Sequence, residues 1–443
     1  MKKPRLGCGP ADRVWAIECG SRYWLNSAQG EKYAGRRQIA ALPIATTTGI
    51  LGADPSLLKV QLPVWAADIG VNGALLVFAD MIETGDAPEW KRCDWLSVAF
   101  HMLASTPERV HEVENGPSLS YAFRLSPRMA PLFERAWVNR IFLFLRRWAA
   151  HDAGLAEEAL FGPLPEAQIL LTHDLDAIRL TPEIRLKQGA FQTVNAARAL
   201  ATAKPAAALR RMGDAARYLF SRGDFRTLGR LRDMERAAGL TSILHVYGGK
   251  AGLKRGSVRR ILIDPSYDVQ SIAAELRRFR DEGHEVGLHQ SFDAWESAAA
   301  MEMEKCRVER ALGSVITHCR QHWLHFSFAK TWAAQHDAGL RFDSTLGFND
   351  RAGFRASHAL SVSPPPSAAQ ATLAIETVPM ILMDSHVYDY AGVNRVGPEE
   401  AIKPWLDEVR AVRGIASVNW HPHTITPVYG WGNGFETLLE LLS

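Results

Sequence analysis

The sequence is poor in cysteine, and its cysteines form no recognisable pair. Disulfide frameworks typically use an even number of cysteines, and structural zinc sites use closely spaced Cys-x-x-Cys pairs. Neither pattern is present, since the five cysteines are scattered along the chain: Cys8, Cys19, Cys93, Cys306 and Cys319. Both kinds of cross-link are therefore excluded as the basis of the fold, and a reducing compartment is expected.

Long apolar runs are also missing. The most apolar segment, residues 62–82, is interrupted by Asp68, Asn72 and Asp80, which argues against a membrane span. No apolar segment of the signal-peptide type follows the basic opening residues. We therefore expect a cytoplasmic protein.

Neither sign of charge is in excess, and the common nucleotide-binding and serine-hydrolase motifs are absent. The chain has 51 Lys and Arg residues and 48 Asp and Glu residues, a balance that does not predict nucleic-acid binding.

No glycine-rich phosphate loop of the P-loop or dinucleotide type is found. Ser291 lies near a histidine, but no Gly-x-Ser-x-Gly motif surrounds it, so a serine nucleophile is not predicted.

What the sequence does contain is enough chain for two domains. Its 443 residues exceed the length at which a single core stops growing. We predict a smaller mixed domain over residues 1–165, in which Val14–Glu18 is a predicted strand. From 166 to 443, strand-like and helix-like segments alternate, a pattern that predicts a parallel sheet or barrel.

An unusually basic helical insertion is predicted at about residues 177–236, where 13 Lys and Arg residues face 5 Asp and Glu residues. Four apolar residues within it recur at helical spacing: Leu209, Met212, Ala216 and Leu219. The neighbouring arginines fall on a different face of this predicted helix. Two interpretations remain open. The arginines form a solvated basic face, or they contact a phosphate-bearing substrate or an anionic membrane surface.

Polar residues end four of the predicted strands. The apolar run at 168–173 ends in Asp174 and Asp176, which would share one face of an extended strand. Carboxylates this close repel each other unless a cation lies between them or one is protonated; alternatively, they cap the next helix. The other three strand ends carry histidines, at 287–293, 320–324 and 419–423. Because parallel strands collect their carboxyl ends at one edge, these groups are expected to meet.

This ordered set resembles the motifs of carbohydrate esterase family 4, the polysaccharide deacetylases, over about residues 166–430. The resemblance rests on Thr-His-Asp-Leu-Asp at 172–176, Gly-Leu-His at 287–289 and the two later histidine-bearing strand ends. It implies an α/β fold, a deformed (β/α)7-type barrel, here preceded by a smaller α/β or α+β domain. It also implies metal-dependent hydrolysis of an acetyl group on a sugar.

The resemblance implies a role for each carboxylate and histidine of the metal site. Asp174 matches the general base, while Asp176 and His289 match metal ligands. The family's second motif has a further histidine four residues after the first, and Asp293 stands there instead. Either Asp293 is the third ligand or His322 replaces it. A divalent ion, most simply Zn²⁺, is the expected cofactor.

Three further residues are carried over from the family's later motifs. Arg320 matches the arginine that orients the base, and Asp343 resembles the aspartate that tunes the acid. His421 resembles the general acid that protonates the leaving amine, and His423, two residues on, is a second candidate. A histidine suits this role because its ordinary pKa lies near neutrality.

The function implied is removal of an N-acetyl group from an amino sugar, as a step in surface polysaccharide biosynthesis. The expected substrate is linked to a nucleotide or lipid carrier, which allows peripheral membrane contact and requires no nucleic acid. One alternative is hydrolysis of another C–N bond, such as an N-formyl group or a small amide. The other is a non-catalytic glycan-binding relative, because Asp293 stands where a histidine is expected. The oligomeric state is left open.

Overall fold

The computed structural model describes residues 6–24, 35–117, 126–201, 203, 205–220, 227–250, 263–365, 373–389 and 396–443. Parts of the predicted basic insertion, at 202, 204 and 221–226, lie outside these residues. Within them, no helix combines the length and the apolar character that crossing a bilayer requires.

The N-terminal part is mainly helical, with two short antiparallel strand pairs. Strand β1 (Leu6–Gly7) pairs with β2 (Ile50–Leu51), and β3 (Leu57–Gln61) pairs with β4 (Ala74–Phe78). Short 3-10 helices lie at Val64–Ile69, Ala79–Met81 and Pro127–Phe133. The α-helices are α1 (Pro10–Trp24), α2 (Gly35–Ala41), α3 (Glu89–Arg92), α4 (Trp95–Leu103), α5 (Thr106–Asn115), α6 (Trp137–Ala153) and α7 (Glu157–Phe161).

The predicted strand at Val14–Glu18 is wrong, because these residues lie inside α1. The helix starts with Pro10, whose fixed backbone suits a first helical position. The Asp12 side chain then accepts a hydrogen bond from the Gly9 N–H at 2.8 Å, as in one half of a capping box. These start signals, together with buried Trp15 and Cys19 four residues apart, outweigh the β-branched and aromatic residues that predicted the strand.

The C-terminal part is built on one eight-stranded parallel sheet. Its order is β10-β9-β8-β7-β6-β5-β12-β11, and no pairing between β10 and β11 closes it within the described chain. The predicted deformed (β/α) barrel is therefore confirmed, with eight strands rather than about seven. The strands are β5 (Gln168–Leu175), β6 (Ser242–Tyr247), β7 (Glu285–Gln290), β8 (His318–Gln321), β9 (Phe342–Asp343), β10 (Glu376–Thr377), β11 (Met380–Met383) and β12 (Ile415–Asn419).

Helices connect these strands and cover the sheet. Their buried apolar faces, with those of the strands, make one cluster that includes Leu244, Phe279 and Trp420. Short 3-10 helices lie at Val269–Ile272, Phe292–Ala294, His322–Leu324 and Pro422–Ile425. The α-helices are α8 (Pro182–Ala201), α9 (Pro205–Phe220), α10 (Leu228–Ala237), α11 (Ala273–Asp281), α12 (Ala298–Leu312), α13 (Thr331–Asp337), α14 (Asp384–Tyr388), α15 (Pro398–Ala411) and α16 (Gly432–Leu442).

The strand register aligns polar residues of neighbouring strands near the carboxyl edge of the sheet. Asp174 of β5 is level with His245 of β6, and His289 of β7 is level with Arg320 of β8. Because all these strands run parallel, their carboxyl ends and the loops that follow share one edge. The fold thus delivers the site residues to a single small volume.

A second cluster of buried apolar side chains fills the N-terminal part, including Trp24, Phe142 and Trp148. Leu360 and Val362, from the C-terminal part, also belong to this cluster. Polar contacts join the two parts as well, since Arg140 donates two hydrogen bonds, of 2.9 and 2.8 Å, to the two carboxylate oxygens of Glu408. The two parts therefore share a packed and hydrogen-bonded interface.

Candidate metal centre

Three side chains at the carboxyl ends of strands of the parallel sheet converge on one point. Asp176 comes directly after β5, His289 lies in β7, and His322 follows β8. One ligand atom from each lies within 4.8 Å of the others. The Asp176 Oδ1 atom is 3.3 Å from His289 Nε2 and 3.5 Å from His322 Nε2. The three residues therefore form a candidate metal site.

Both imidazoles have their other ring nitrogen engaged. His289 Nδ1 lies 2.9 Å from the Arg320 carbonyl oxygen, which can only accept, so Nδ1 carries the proton. His322 Nδ1 lies 3.3 Å from the Asp264 carboxylate. These partners fix the ring orientation and direct each Nε2 atom at Asp176, as in metal sites whose histidines are held by an outer carboxylate or carbonyl.

The residues present fit a divalent cation. The Oδ1 atom of Asp176 is buried and has no hydrogen-bond partner within the described residues. Burial acts to raise the pKa of Asp176, but His322, His289 and His421 lower it below its usual value, so the carboxylate is ionised. An orphaned anionic oxygen facing two imidazole Nε2 atoms matches the Asp-His-His donor sets of catalytic Zn²⁺ and similar ions.

Of the two candidates for the third ligand, the structure brings His322 into the group and leaves Asp293 outside it. Asp293 lies in the 3-10 helix Phe292–Ala294 and is exposed. The strand ends just before this point, so the side chain four residues after His289 no longer follows the sheet edge. His322, from the next strand end, therefore takes the third place in this group.

The predicted base, Asp174, is buried and held by neutral and cationic donors. Arg320 Nη1 donates to its Oδ1 at 3.1 Å, and Asn419 Nδ2 donates to its Oδ2 at 2.9 Å. The His245 ring lies 3.3 Å from the same Oδ1. Burial acts to raise the pKa of Asp174, but the Arg320 guanidinium and the neighbouring histidines hold it well below its usual range. The carboxylate is therefore ionised.

The predicted acid, His421, lies near Asp176 and is paired with Asp384. Its Nδ1 lies 2.8 Å from Asp384 Oδ1, and its backbone N–H donates to Asp384 Oδ2 at 3.0 Å. Its Nε2 is 3.7 Å from Asp176 Oδ2. Burial acts to lower the pKa of His421, but the carboxylates of Asp384, Asp176 and Asp174 raise it to about 10. The imidazole is therefore protonated and presents Nε2–H to the site.

Asp343, predicted to tune the acid, has other partners. Its carboxylate accepts hydrogen bonds from Gln335 Nε2 at 2.9 Å and Trp332 Nε1 at 3.2 Å, both from α13. Burial raises the pKa of Asp343. The carboxylate that contacts His421 is Asp384 instead. His423, the alternative acid, is buried, and its ring centroid is 4.9 Å from that of Tyr429.

Three site residues escaped the sequence prediction: Asp264, Asp384 and His245. Asp264 and Asp384 each follow a short apolar run, at 261–263 and 380–383, which is the signal that identified Asp174. That signal was therefore available for both. His245 lies within β6 and looks like any histidine in a strand, so only the register reveals its place beside Asp174.

The loop that carries His322 has an unusual backbone. Trp323 and Leu324 both have positive φ, 56° and 52°, a region costly for side chains of this size. Asn349 Nδ2 donates to the Trp323 carbonyl at 3.0 Å, and Glu112 of α5 accepts hydrogen bonds from the Ser327 hydroxyl and from the Phe328 N–H. Contacts from two other segments thus fix the loop.

Comparisons with known proteins give fold likeness only. No protein family matches the sequence, and neither does any curated protein. Among solved structures, a protein from Mycobacterium smegmatis assigned as a polysaccharide deacetylase is 15% identical, with a TM-score of 0.36 over 63% of this chain and 86% of its own. The Xyl-CE4 domain of a multidomain xylanase from the hindgut metagenome of Trinervitermes trinervoides is 10% identical, with a TM-score of 0.29 over 62% of this chain and 82% of its own.

A further match is a mutant CE4 family pseudoenzyme with restored enzymatic activity, 11% identical, with a TM-score of 0.29 over 65% of this chain and 69% of its own. Likenesses this distant do not transfer an activity from one chain to another. The roles of the residues therefore rest on the geometry around Asp176.

Proposed function

We propose that the protein is a metal-dependent hydrolase that removes an N-acetyl group from an amino sugar. The observation that carries this proposal is the arrangement around Asp176. Two imidazole Nε2 atoms face its orphaned oxygen. The ionised carboxylate of Asp174 and the protonated imidazole of His421 belong to the same group of interacting charges. A cation site flanked by a base and an acid is what hydrolysis of an amide requires.

The residues divide the chemistry between them. A divalent ion, when bound, supplies a water of lowered pKa and polarises the substrate carbonyl. Asp174 accepts the proton of the attacking water, and Arg320 with Asn419 holds this carboxylate in position. His421 donates its Nε2 proton to the leaving nitrogen, because Asp384 keeps the imidazole protonated and oriented. No covalent intermediate on the chain is needed.

The finer assignment follows the sequence resemblance. We propose Zn²⁺ as the ion and a cytoplasmic precursor of a surface polysaccharide, linked to a nucleotide or lipid carrier, as the substrate. The Asp-His-His donor set supports zinc, although it also accepts other divalent ions. The excess of Lys and Arg in the basic insertion supports a phosphorylated carrier.

We also propose the division of the chain into domains at 1–165 and 166–443. The two separate clusters of buried apolar side chains support it. In this proposal the N-terminal domain braces the metal site, because Glu112 of α5 accepts hydrogen bonds from the loop that follows His322. Such a brace would hold the positive-φ backbone beside the ligand.

Metal content tests the proposal first. Protein purified without added metal, then equilibrated with zinc and freed of excess, is expected to hold about one ion per chain, because a structured donor set binds tightly. Asp176→Ala, His289→Ala and His322→Ala are each expected to lose it. Asp293→Ala is the matched control and is expected to retain the ion. Elemental analysis gives the stoichiometry, and circular dichroism confirms that each variant is folded.

Two results would redirect the proposal. Wild-type protein without an ion after equilibration would favour the glycan-binding alternative. A loaded enzyme that releases formate from N-formyl sugars, but no acetate from N-acetyl sugars, would favour the other C–N hydrolase. Acetate from a nucleotide- or lipid-linked N-acetyl sugar, lost on removing the metal, supports the deacetylase.

A further inference from the structure

The helical hairpin formed by α8 and α9 exposes large apolar side chains. The helices run antiparallel, since Arg185 donates to the Tyr218 carbonyl while Arg211 contacts Gln192. Seven of the eighteen exposed large apolar residues in the described chain lie on these two helices, far more than their share of the length. They are Leu186, Val194 and Leu200 of α8 and Leu209, Met212, Leu219 and Phe220 of α9.

The hairpin is apolar on the side where surface helices are normally polar. Leu209 is 76% exposed and Phe220 is 81% exposed, while the buried positions of α9 include Ala208 and Ala215. The stripe that begins at Leu209 was recognised from the sequence by its helical spacing, a pattern that normally marks a core-facing side. Here it faces solvent, so nothing in the described chain accounts for its apolar character.

Positive charge accompanies this stripe. Residues 182–220 contain seven Lys and Arg residues and two acidic residues, whereas the whole chain is nearly balanced. Arg198, Arg210 and Arg217 are exposed. Exposed apolar residues flanked by arginines are typical of helices that lie in the plane of a membrane interface.

The hairpin is attached close to the metal centre. It begins six residues after Asp176, and the Tyr218 ring of α9 packs on Tyr429, whose ring in turn packs on His423. Arg211 is paired with Asp389 at 2.7 Å, just beyond α14. These contacts pack the buried side of the hairpin against the loops that carry the predicted acid.

We propose that the α8–α9 hairpin docks on an anionic membrane surface, with its apolar stripe in the acyl boundary and its arginines among the headgroups. A second copy of the chain fits less well. A two-fold interface would bring the same arginines of both copies together, and like charges repel. An anionic bilayer satisfies both the apolar side chains and the arginines, since acidic headgroups neutralise the charge.

Vesicle co-sedimentation tests the proposal, with vesicles of phosphatidylcholine with and without phosphatidylglycerol. Wild-type protein is expected to bind the anionic vesicles. The triple variant Leu209→Ser, Met212→Ser, Phe220→Ser is expected to bind at least about tenfold more weakly, because it removes the apolar contribution. The control carries Val64→Ser, Met303→Ser and Val315→Ser, which are also exposed apolar positions, and should bind like wild type.

The arginines are tested separately. Replacing Arg198, Arg210 and Arg217 by glutamine should weaken binding to anionic vesicles by about fivefold for each arginine, and high salt should act in the same direction. Equal binding of wild type and the serine variant would overturn the proposal. So would a wild-type dimer in light scattering that the serine substitutions dissociate. Metal content is measured on the same samples, so failure of docking is distinguishable from failure of the proposed catalytic site.

Discussion

The candidate metal centre and the α8–α9 hairpin are neighbours in the sequence, and they depart from ordinary folding rules in opposite directions. The centre buries carboxylates and imidazoles, whereas the hairpin exposes leucine, methionine and phenylalanine. In the centre, each buried ionisable group meets partners within the chain, such as Arg320 with Asp174 and Asp384 with His421. In the hairpin, the exposed apolar groups have no such compensation.

The difference indicates that contacts within the chain stabilise the candidate centre, whereas the exposed apolar surface of the hairpin needs a binding partner to cover it. Burying a charge is costly unless it is paired and hydrogen-bonded, and the centre meets that condition except at the Asp176 oxygen that faces the candidate ligands. Exposed apolar surface is stabilised only when something covers it. Substitution of the groups that pair with the charged residues of the candidate centre should therefore have large effects. Substitution of the exposed apolar residues of the hairpin should have a large effect only on binding to a membrane surface.

Asp384→Asn should produce the largest effect. It removes the charge that keeps His421 protonated, so kcat should fall by about 10²- to 10³-fold, the range of a general acid. The sign of the pH effect follows directly. In the proposed mechanism His421 must carry a proton to act, and loss of Asp384 lowers its pKa, so activity should be lost at lower pH than in the wild type. A pH profile of kcat measures both changes.

Asp343→Asn is the matched control for that substitution. Asp343 is equally buried but contacts Gln335 and Trp332 rather than His421. Removing the charge of Asp343 should not change the pH at which kcat falls on the alkaline side of the profile. If Asp343→Asn changes that pH and Asp384→Asn does not, the assignment of the acid's partner is reversed.

Asp264→Asn should have an intermediate effect. Its carboxylate lies against His322 Nδ1 and fixes the ring, so its loss should weaken metal binding by about 10- to 100-fold without removing a ligand. Competition with a chromogenic chelator measures the affinity. Asp268→Asn, four residues later and exposed, should bind the ion as the wild type does. Unchanged metal affinity in both variants would show that His322 does not need the Asp264 carboxylate to bind the ion.

The smallest effect is expected in the hairpin. In solution without membranes, the serine substitutions at Leu209, Met212 and Phe220 should change the free energy of unfolding by less than about 0.5 kcal/mol each, because these side chains bury little. Leu244→Ala, in the buried strand β6, should cost about 2–5 kcal/mol. Urea unfolding compares them. A cost of several kcal/mol in the hairpin would mean that its stripe is covered within the protein.

The sequence was informative wherever one signal had one structural meaning. Apolar runs ending in polar residues predicted β5, β7 and β12 and the edge at which their carboxyl ends meet, because parallel strands leave little choice of geometry. The same signal applies to Asp384, where it was overlooked in favour of Asp343. Asp343 also ends a short strand, and only the packing of α13 shows that its carboxylate is turned to Trp332.

Other features depend on contacts between segments that are distant in the sequence, so sequence patterns do not predict them. The spacing of Leu209 and Met212 is identical for a core-facing and a solvent-facing helix, and tertiary contacts decide between them. His322 was one of two alternatives, because the distance between its ring and Asp176 depends on the positive-φ turn at Trp323. A turn of this kind is set by its surroundings rather than by local propensity.

The strand order also has a consequence for how the chain reaches its native state. β5, which introduces the candidate site, pairs with β12, and Asn419 reaches Asp174 across 245 residues of sequence. Closing so long a loop is slow, so β5 keeps one open edge until nearly all of the barrel has been synthesised. An apolar strand with an open edge is a template for aggregation. Chains truncated before β12 should therefore be found in aggregates, and the hydrogen bond from Asn419 to Asp174 should be among the last contacts of the candidate site to form.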